Sequence, residues 1–326
     1  MILVTGGAGF IGSNLQAALA AEGHETVVVD RLEEASKWRN LARHPPDQII
    51  APEALHDFLA RDPPLAMAFH LGAVTDTRAT DGDLLWQSNV ALSQRVWQWC
   101  ARHEVRLVYA SSAATYGDGR DGFDDDASLA YLARLRPLNL YAWTKHAFDL
   151  WVARALARGE KRPPQWAGLK FFNVYGPNEY HKIGMISAVK VKYDEAEAGL
   201  RPRLFRSDRP GVADGEQRRD FIWVGDVVAV MLWLLNTPAA SGLFNVGTGR
   251  ARTYIELAHA VCRAAEREPE VEFIDMPDRL SGQYQSFTEA PIGRLRAAGF
   301  AAQFTPLEAG VSRYVRDYLG QPDPYA

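Results

Sequence analysis

Apolar positions in this chain fall into short runs separated by stretches with a helical period. Ile2-Leu3-Val4 reads as a buried strand, a glycine-rich loop follows, and Ile11, Leu15, Ala18 and Leu19 then recur at helical spacing. Thr26-Val27-Val28-Val29-Asp30 predicts a second strand, residues 65–70 and 106–110 two more, and 168–172 another. Between them the pattern predicts a helix from about 83 to 103, with Trp86, Val90, Ser93 and Val96-Trp97 on one stripe, and a long helix over 141–158. Strands that alternate with helices build a parallel sheet covered on both faces, because each crossover must pack back over the sheet. The predicted fold is therefore α/β, a doubly wound parallel sheet.

After Asn173 the rhythm changes. Residues 173–220 are rich in Pro, Gly and charge, and 201–219 read as a long loop. A helical pattern over 224–235 and a strand over 243–246 then predict a return to the sheet. Residues 251–326 carry helices over 255–266 and 306–319 and a strand over 271–274. The expected organisation is a nucleotide-binding domain of residues 1–176 plus about 221–250. A smaller, mixed α/β substrate domain, about 177–220 plus 251–326, completes the chain.

Composition excludes several classes. With 47% hydrophobic and 23% charged residues in 326, the chain is neither disordered, collagenous nor coiled coil. The 36 Lys and Arg against 40 Asp and Glu leave a net −4, with no basic excess to hold a nucleic-acid backbone. The longest apolar run, residues 227–235, is about half a membrane span. The N-terminal apolar run is cut by Gly6, Gly7 and Gly9, unlike a secretory signal. Two cysteines, Cys100 and Cys262, suit a reducing compartment, and a cytoplasmic location is expected. No metal site is assigned.

The loop Gly6-Gly7-Ala8-Gly9-Phe10-Ile11-Gly12 lies between the first strand and the first helix. Gly7, Gly9 and Gly12 fit the dinucleotide spacing: one makes the turn, one admits a pyrophosphate, one lets helix and strand pack. The helix that follows offers free N–H groups and the positive end of its dipole to phosphates. This makes the predicted sheet a Rossmann sheet. Asp30, at the end of the second strand, would accept hydrogen bonds from the adenosine ribose and favours NAD, whereas Arg31, Lys37 and Arg39 would suit the 2′-phosphate of NADP. Carboxylate and phosphate repel unless the Asp30 side chain turns away, and Lys37 and Arg39 read equally as a solvated helix face. Leu71-Gly72-Ala73 follow the third predicted strand where a cofactor passes, and His70 before them reads as a hydrogen-bonded structural histidine.

Ser112 lies just beyond the end of another strand, and Tyr141 and Lys145, four positions apart, share one face of the long helix. A phenol near pKa 10 is a poor base at neutral pH, and a neighbouring ammonium together with a nicotinamide cation would favour its phenolate. Lys145 can also bind ribose hydroxyls, and Ser112 can hold the substrate hydroxyl being oxidised. Only 7 of the 36 basic residues are lysine, so Lys182 in a loop aimed at the cleft stands out as a second acid/base, against the plain reading of an exposed cation.

Taken together, Val4 to Asn14, Tyr109 to Gly117, Phe172 to Pro177, His181-Lys182, Arg219-Asp220-Phe221 and Phe244 to Arg250 resemble the extended short-chain dehydrogenase/reductase superfamily along nearly the whole chain. Within it the chain looks like the nucleotide-sugar epimerases. Ser-Ser-Ala-Ala-Thr-Tyr-Gly and His181-Lys182 resemble the heptose 6-epimerases in particular. The resemblance implies bound NADP, with NAD as the alternative, oxidation of an ADP-heptose at C6″ to a ketone, and return of the hydride to the other face for lipopolysaccharide core synthesis. It places Tyr141 and Lys182 as the two acid/base groups. Phe10, Ile11, Lys145, Asn89, Val174 and Lys182 become cofactor contacts, and Ser112, Asn173, Phe205, Arg219 and Tyr284 touch the nucleotide sugar. It also implies a homo-oligomer, of five copies in some relatives. Departures are Gly184, where a serine is expected, and Val191, where a histidine is expected. A 4,6-dehydratase would want acidic groups where Ala113 and Ala114 stand. A non-catalytic NAD(P)-binding redox regulator would have no use for Tyr141, Lys145 and Ser112 together.

Overall fold

In the computed structural model, which describes residues 1–32, 36–182, 184–277 and 285–326, strand β1 (Ile2–Thr5) is buried along its whole length. It lies between β2 (Thr26–Val29) and β4 (Met67–His70), each paired to it in parallel. Burial on both faces is why these segments read as unbroken apolar runs rather than alternating ones. β3 (Gln48–Ile50) forms one edge of the sheet. β5 (Arg106–Ser112) and β6 (Trp166–Phe171) continue it on the far side of β4. The order β11-β6-β5-β4-β1-β2-β3, with β11 at Gly242–Val246, is a seven-stranded parallel sheet. The chain runs outward from β1 to β3 and then crosses back to β4. That reversal opens a crevice at the carboxyl ends of β1 and β4.

Each face of the sheet has its own core. Trp97, Leu107, Tyr109, Phe148 and Trp166 pack on one face, and Val4, Leu15, Val28, Phe69, Val108 and Met231 on the other. A third cluster, including Tyr175, Trp223, Val261, Val311 and Tyr314, lies at the end of the sheet. It joins β7 (Asn173–Tyr175) and β10 (Phe221–Trp223), a parallel pair, to the helices Tyr254–Ala264 and Leu307–Tyr314.

The structure alters three of the expected elements. β3, Gln-Ile-Ile, went unread because three residues are too few to show a period, and only Ile50 is partly buried at this sheet edge. Residues 201–219 are not one loop: they hold β8 (Arg203–Phe205) and β9 (Arg218–Arg219). β8 pairs with β13 (Glu272–Ile274) and β9 with β12 (Arg252–Thr253), and strands of two or three residues are too short to show a period. The helix expected from about 83 to 103 is interrupted by a π turn at Trp86–Ala91. Trp86 is thereby thrown off the stripe and stands 37% exposed, while Val90, Ser93, Val96 and Trp97 are buried. Among the described residues no helix is long and apolar enough to cross a membrane.

Candidate active site

The glycine loop is shaped by contacts that leave no room for side chains. Gly6 has φ +70°, and a Cβ there would come within 2.7 Å of the Gly72 backbone, so the turns after β1 and β4 lie directly against each other. A Cβ on Gly12 would reach 2.1 Å from the Gly6 carbonyl oxygen, so the helix Phe10–Ala21 can close on the loop only with glycine here. Backbone rather than side chain therefore faces the crevice, as a dinucleotide cradle requires.

Asp30 braces this loop. Its Oδ2 accepts from the Ala8 N–H at 2.9 Å, and Oδ1 accepts from the Arg31 N–H at 2.8 Å and from Lys37 Nζ at 2.9 Å. The carboxylate has thus turned toward the loop and is neutralised by an ammonium. Lys37 is 8% exposed, so the reading of it as part of a solvated face is corrected. Arg31 is paired with Glu53 on the exposed side. Arg39 does not line the crevice either: its guanidinium pairs with Asp323 at 3.1 Å and lies 4.4 Å over the Tyr325 ring. At the end of β4, His70 has Thr5 Oγ1 at 2.8 Å and Ser93 Oγ at 2.9 Å on its two ring nitrogens. Burial, with Lys145 adding to it, pushes His70 down to about 3, so it is a neutral structural residue.

A second group of residues stands on β5 and the helix Leu140–Ala157. Asn139 caps that helix, accepting from the Ala142 N–H at 2.9 Å, and so fixes where Tyr141 and Lys145 begin their shared face. Ser112 caps the short turn Ala113–Tyr116, accepts from the Ala114 N–H at 3.2 Å, and lies beside the Tyr141 phenol. Burial raises the Tyr141 pKa and the Ser112 hydroxyl opposes the rise. Lys145 Nζ donates to the Ala110 carbonyl at 2.8 Å, and burial holds its own pKa at about 8 with Asp149 pulling the other way.

Lys182 lies on the segment that follows β7. Its ammonium lies 5.3 Å from the centroid of the Phe10 ring, at the start of the helix that follows the glycine loop. Burial lowers its pKa and Glu179 opposes the fall. Glu179 is 1% exposed and anchors the segment: Oε1 accepts from Ser187 Oγ at 2.7 Å and from the Tyr314 hydroxyl at 3.0 Å, and Oε2 from the Ser187 N–H at 2.6 Å. The turn after β4 links the two sides. Asn89 clamps it, accepting from the Val74 N–H at 2.8 Å and donating to the Val74 carbonyl and to Thr144 Oγ1, each at 3.0 Å. Farther along, Thr77 Oγ1 reaches Met185 Sδ at 3.7 Å. The Asn89 amide is committed to these partners, so it positions the crevice wall. Leu71, Ala73 and Val174 are half-buried beside it, as is Ile11 on the helix after the glycine loop.

The remaining expected residues are scattered over the smaller sheets. Asn173 is exposed on β7, its N–H donating to the Asp220 carbonyl, and Phe205 is half-buried on β8. Arg219 is 5% exposed on β9, donates to the Arg218 carbonyl and lies 5.9 Å from the Tyr254 ring centroid. Tyr284 lies outside the described residues. Three groups went unremarked in the sequence. Asn40 Nδ2 donates to the Ala8 and Asn178 carbonyls and approaches His181 Nδ1 at 3.2 Å. Asp220 accepts from Thr248, Gly249 and Ala290. Lys170 and Asp149, fully buried and 2.8 Å apart, tie β6 to the helix under Lys145, and Ser111 joins them from β5. Only Asp220 carried a signal, as the middle of Arg-Asp-Phe.

A family model described as NAD dependent epimerase/dehydratase family matches residues 2–247. Over the full length of both chains, the sequence is 48% identical to an ADP-L-glycero-D-manno-heptose-6-epimerase of Nitratidesulfovibrio vulgaris Hildenborough. The crystal structure of the ADP-L-glycero-D-manno-heptose-6-epimerase of Helicobacter pylori matches with a TM-score of 0.78 and 25% identity, covering 97% of this chain and 95% of that one. A Thermus thermophilus UDP-glucose 4-epimerase, solved with NAD, matches with a TM-score of 0.74 and 27% identity over 95% and 96%.

Proposed function

The chain belongs to the NAD dependent epimerase/dehydratase family, and we propose that within it the chain inverts C6″ of ADP-D-glycero-β-D-manno-heptose to give the L-glycero epimer. It is a nucleotide-sugar epimerase that works with a nicotinamide cofactor. One observation carries the substrate: the 48% identity over every part of both chains to a relative with that printed name.

Direct inversion at a carbon bearing C–H and O–H bonds is chemically difficult, whereas a ketone is flat and can be reduced from either side. A nicotinamide held in the crevice would supply a temporary hydride acceptor, so that C6″ could be oxidised and then reduced again. Every other task falls to side chains. Tyr141 takes the proton of the C6″ hydroxyl on one face, and Ser112, beside the phenol, holds that hydroxyl in place. The Lys145 ammonium, seated on Ala110, holds the ribose of the cofactor. On the opposite face Lys182 exchanges the proton, its amine made easier to deprotonate by burial. Arg219 suits the pyrophosphate of the substrate, since its fork can bind two oxygens at once. Asn173, Phe205 and Tyr284 complete the substrate contacts in this reading.

NADP is the cofactor this reading prefers. What supports it is the Asp30 carboxylate, turned onto Ala8 and balanced by Lys37, which removes the repulsion a 2′-phosphate would otherwise meet. The reading also takes residues 1–176 with about 221–250 as the cofactor domain and the remainder as the substrate domain. A homo-oligomer belongs to it, supported by the exposed apolar patch of Leu84, Trp86 and Trp143. So does a cytoplasmic location, which suits the free, buried Cys100 and Cys262. The test is to give purified protein the D-glycero substrate and follow the C6″ configuration by NMR alongside nicotinamide absorbance. Scrambling at C6″ with no build-up of reduced cofactor is expected; steady accumulation of reduced cofactor, or an unchanged sugar, would refute the proposal.

A further inference from the structure

Residues 323–326 fold back across two segments that flank the crevice. Asp323 accepts from Arg39 at 3.1 Å and from Arg43 at 3.0 Å, both in or just after the turn Lys37–Leu41. Tyr325, only 5% exposed, receives the Arg39 guanidinium 4.4 Å above its ring and meets Tyr180 edge-on at 5.1 Å. The Tyr180 hydroxyl donates to the Pro324 carbonyl at 2.7 Å, and the Ala326 N–H donates to Asn178 Oδ1 at 3.0 Å. One short stretch thus grips the turn that carries Lys37 and the segment that carries Lys182.

Inside the grip, polar contacts run on to the glycine loop. Asn178, fully buried with φ +71°, donates to Ser13 Oγ at 3.0 Å on the helix after the loop, and Asn40 bridges the Ala8 and Asn178 carbonyls. We infer that Tyr325 is a positioning residue. Its ring wedges between Arg39 and Tyr180, and so holds the Lys37 turn and the Lys182 segment closed over the adenosine half of the cofactor. The inference rests on the proposed function for the identity of what is held. The exposed Asp323 pairs add little, because water screens them, whereas the Tyr325 ring is only 5% exposed and packs against both segments.

The experiment uses wild-type protein loaded with NADPH, diluted into excess unlabelled NADP, with release followed by nicotinamide fluorescence. Tyr325→Ala should release the cofactor about ten-fold faster, a change equal to about 1.4 kcal/mol. Tyr325→Phe keeps the ring and should behave as wild type. Asp323→Asn, an exposed change, should speed release about two-fold, its two screened ion pairs together being worth a few tenths of a kcal/mol. Thermal melting of the cofactor-free variants separates this role from simple packing, since a purely structural tyrosine would lower the melting temperature and leave release unchanged. Wild-type release rates in Tyr325→Ala, or in Asp323→Asn if the alanine variant does not fold, would overturn the inference. Failure of the wild type to retain any nicotinamide nucleotide would instead count against the proposed function.

Discussion

The two sides of the crevice present comparable chemistry on very different foundations. Tyr141, Lys145 and Ser112 rise from a long helix and a central strand, with the buried Lys170–Asp149 pair beneath them. Lys182 sits in a stretch without regular structure, held by Glu179, by Asn178 in the left-handed region, and by contacts that reach residues 323–326 and Tyr314. In the proposed reaction a phenol and an amine work on one carbon and must be equally well placed, so the irregular side would obtain from scattered polar anchors what the regular side obtains from its sheet. The difference implies that damage at a distance weakens the Lys182 side more readily than the Tyr141 side.

Variants at the reacting groups test the symmetry of the chemistry first. Tyr141→Phe removes a single oxygen and should lower turnover by about 10²–10⁴-fold while the nicotinamide stays bound, as measured by kcat and by nucleotide co-purification. Lys182→Met should abolish C6″ inversion over a similar range of about 10²–10⁴-fold. Epimerisation that survives the methionine would mean that the second proton is handled elsewhere and the two-sided comparison is wrong.

Smaller effects sharpen the contrast in anchoring. Glu179→Gln keeps the shape of the side chain but weakens its bonds to Ser187 and Tyr314. It should cost about 1–3 kcal/mol of stability in urea unfolding and lower kcat, with the environment of Tyr141 unchanged in its pH profile. On the regular side, His146 is buried, its Nδ1 has no partner among the described residues, and burial holds it at about 4 although Asp149 opposes this. The unfolded chain binds a proton below pH 6.5 that the folded chain refuses until about pH 4, so stability falls as pH drops through that window. Removing the group in His146→Leu should flatten the loss by up to about 1.4 kcal/mol per pH unit, leaving the similar contributions of His70 and His181. An unaltered slope would show that His146 is free to ionise.

The same contrast explains what could be read from the sequence. The sheet, its crossover helices and the glycine loop were legible, because burial on both faces writes continuous apolar runs and because Gly6 and Gly12 answer to contacts of 2.1–2.7 Å that nothing larger survives. The shared helix face of Tyr141 and Lys145 was legible through the helical period, while their pairing with chemistry leaned on the glycine loop and Ser112. The π turn at Trp86 was not, since one inserted residue changes no composition. Asn40, Asn178 and Glu179 act through partners up to 165 positions away, and no local pattern announces such bonds. The orientation of Asp30 likewise depends on Ala8 and Lys37 meeting it in space.

The proposed chemistry turns on one hydrogen leaving C6″ and returning to the same carbon from the opposite face. The direct measurement is turnover in D₂O with the deuterium content of C6″ read by NMR and mass spectrometry. If the hydrogen is carried by the cofactor between two fixed acid/base groups, the carbon inverts and remains protiated. Deuterium at C6″ would show that a proton was exchanged with solvent at that carbon, and would contradict inversion by a hydride held within the site.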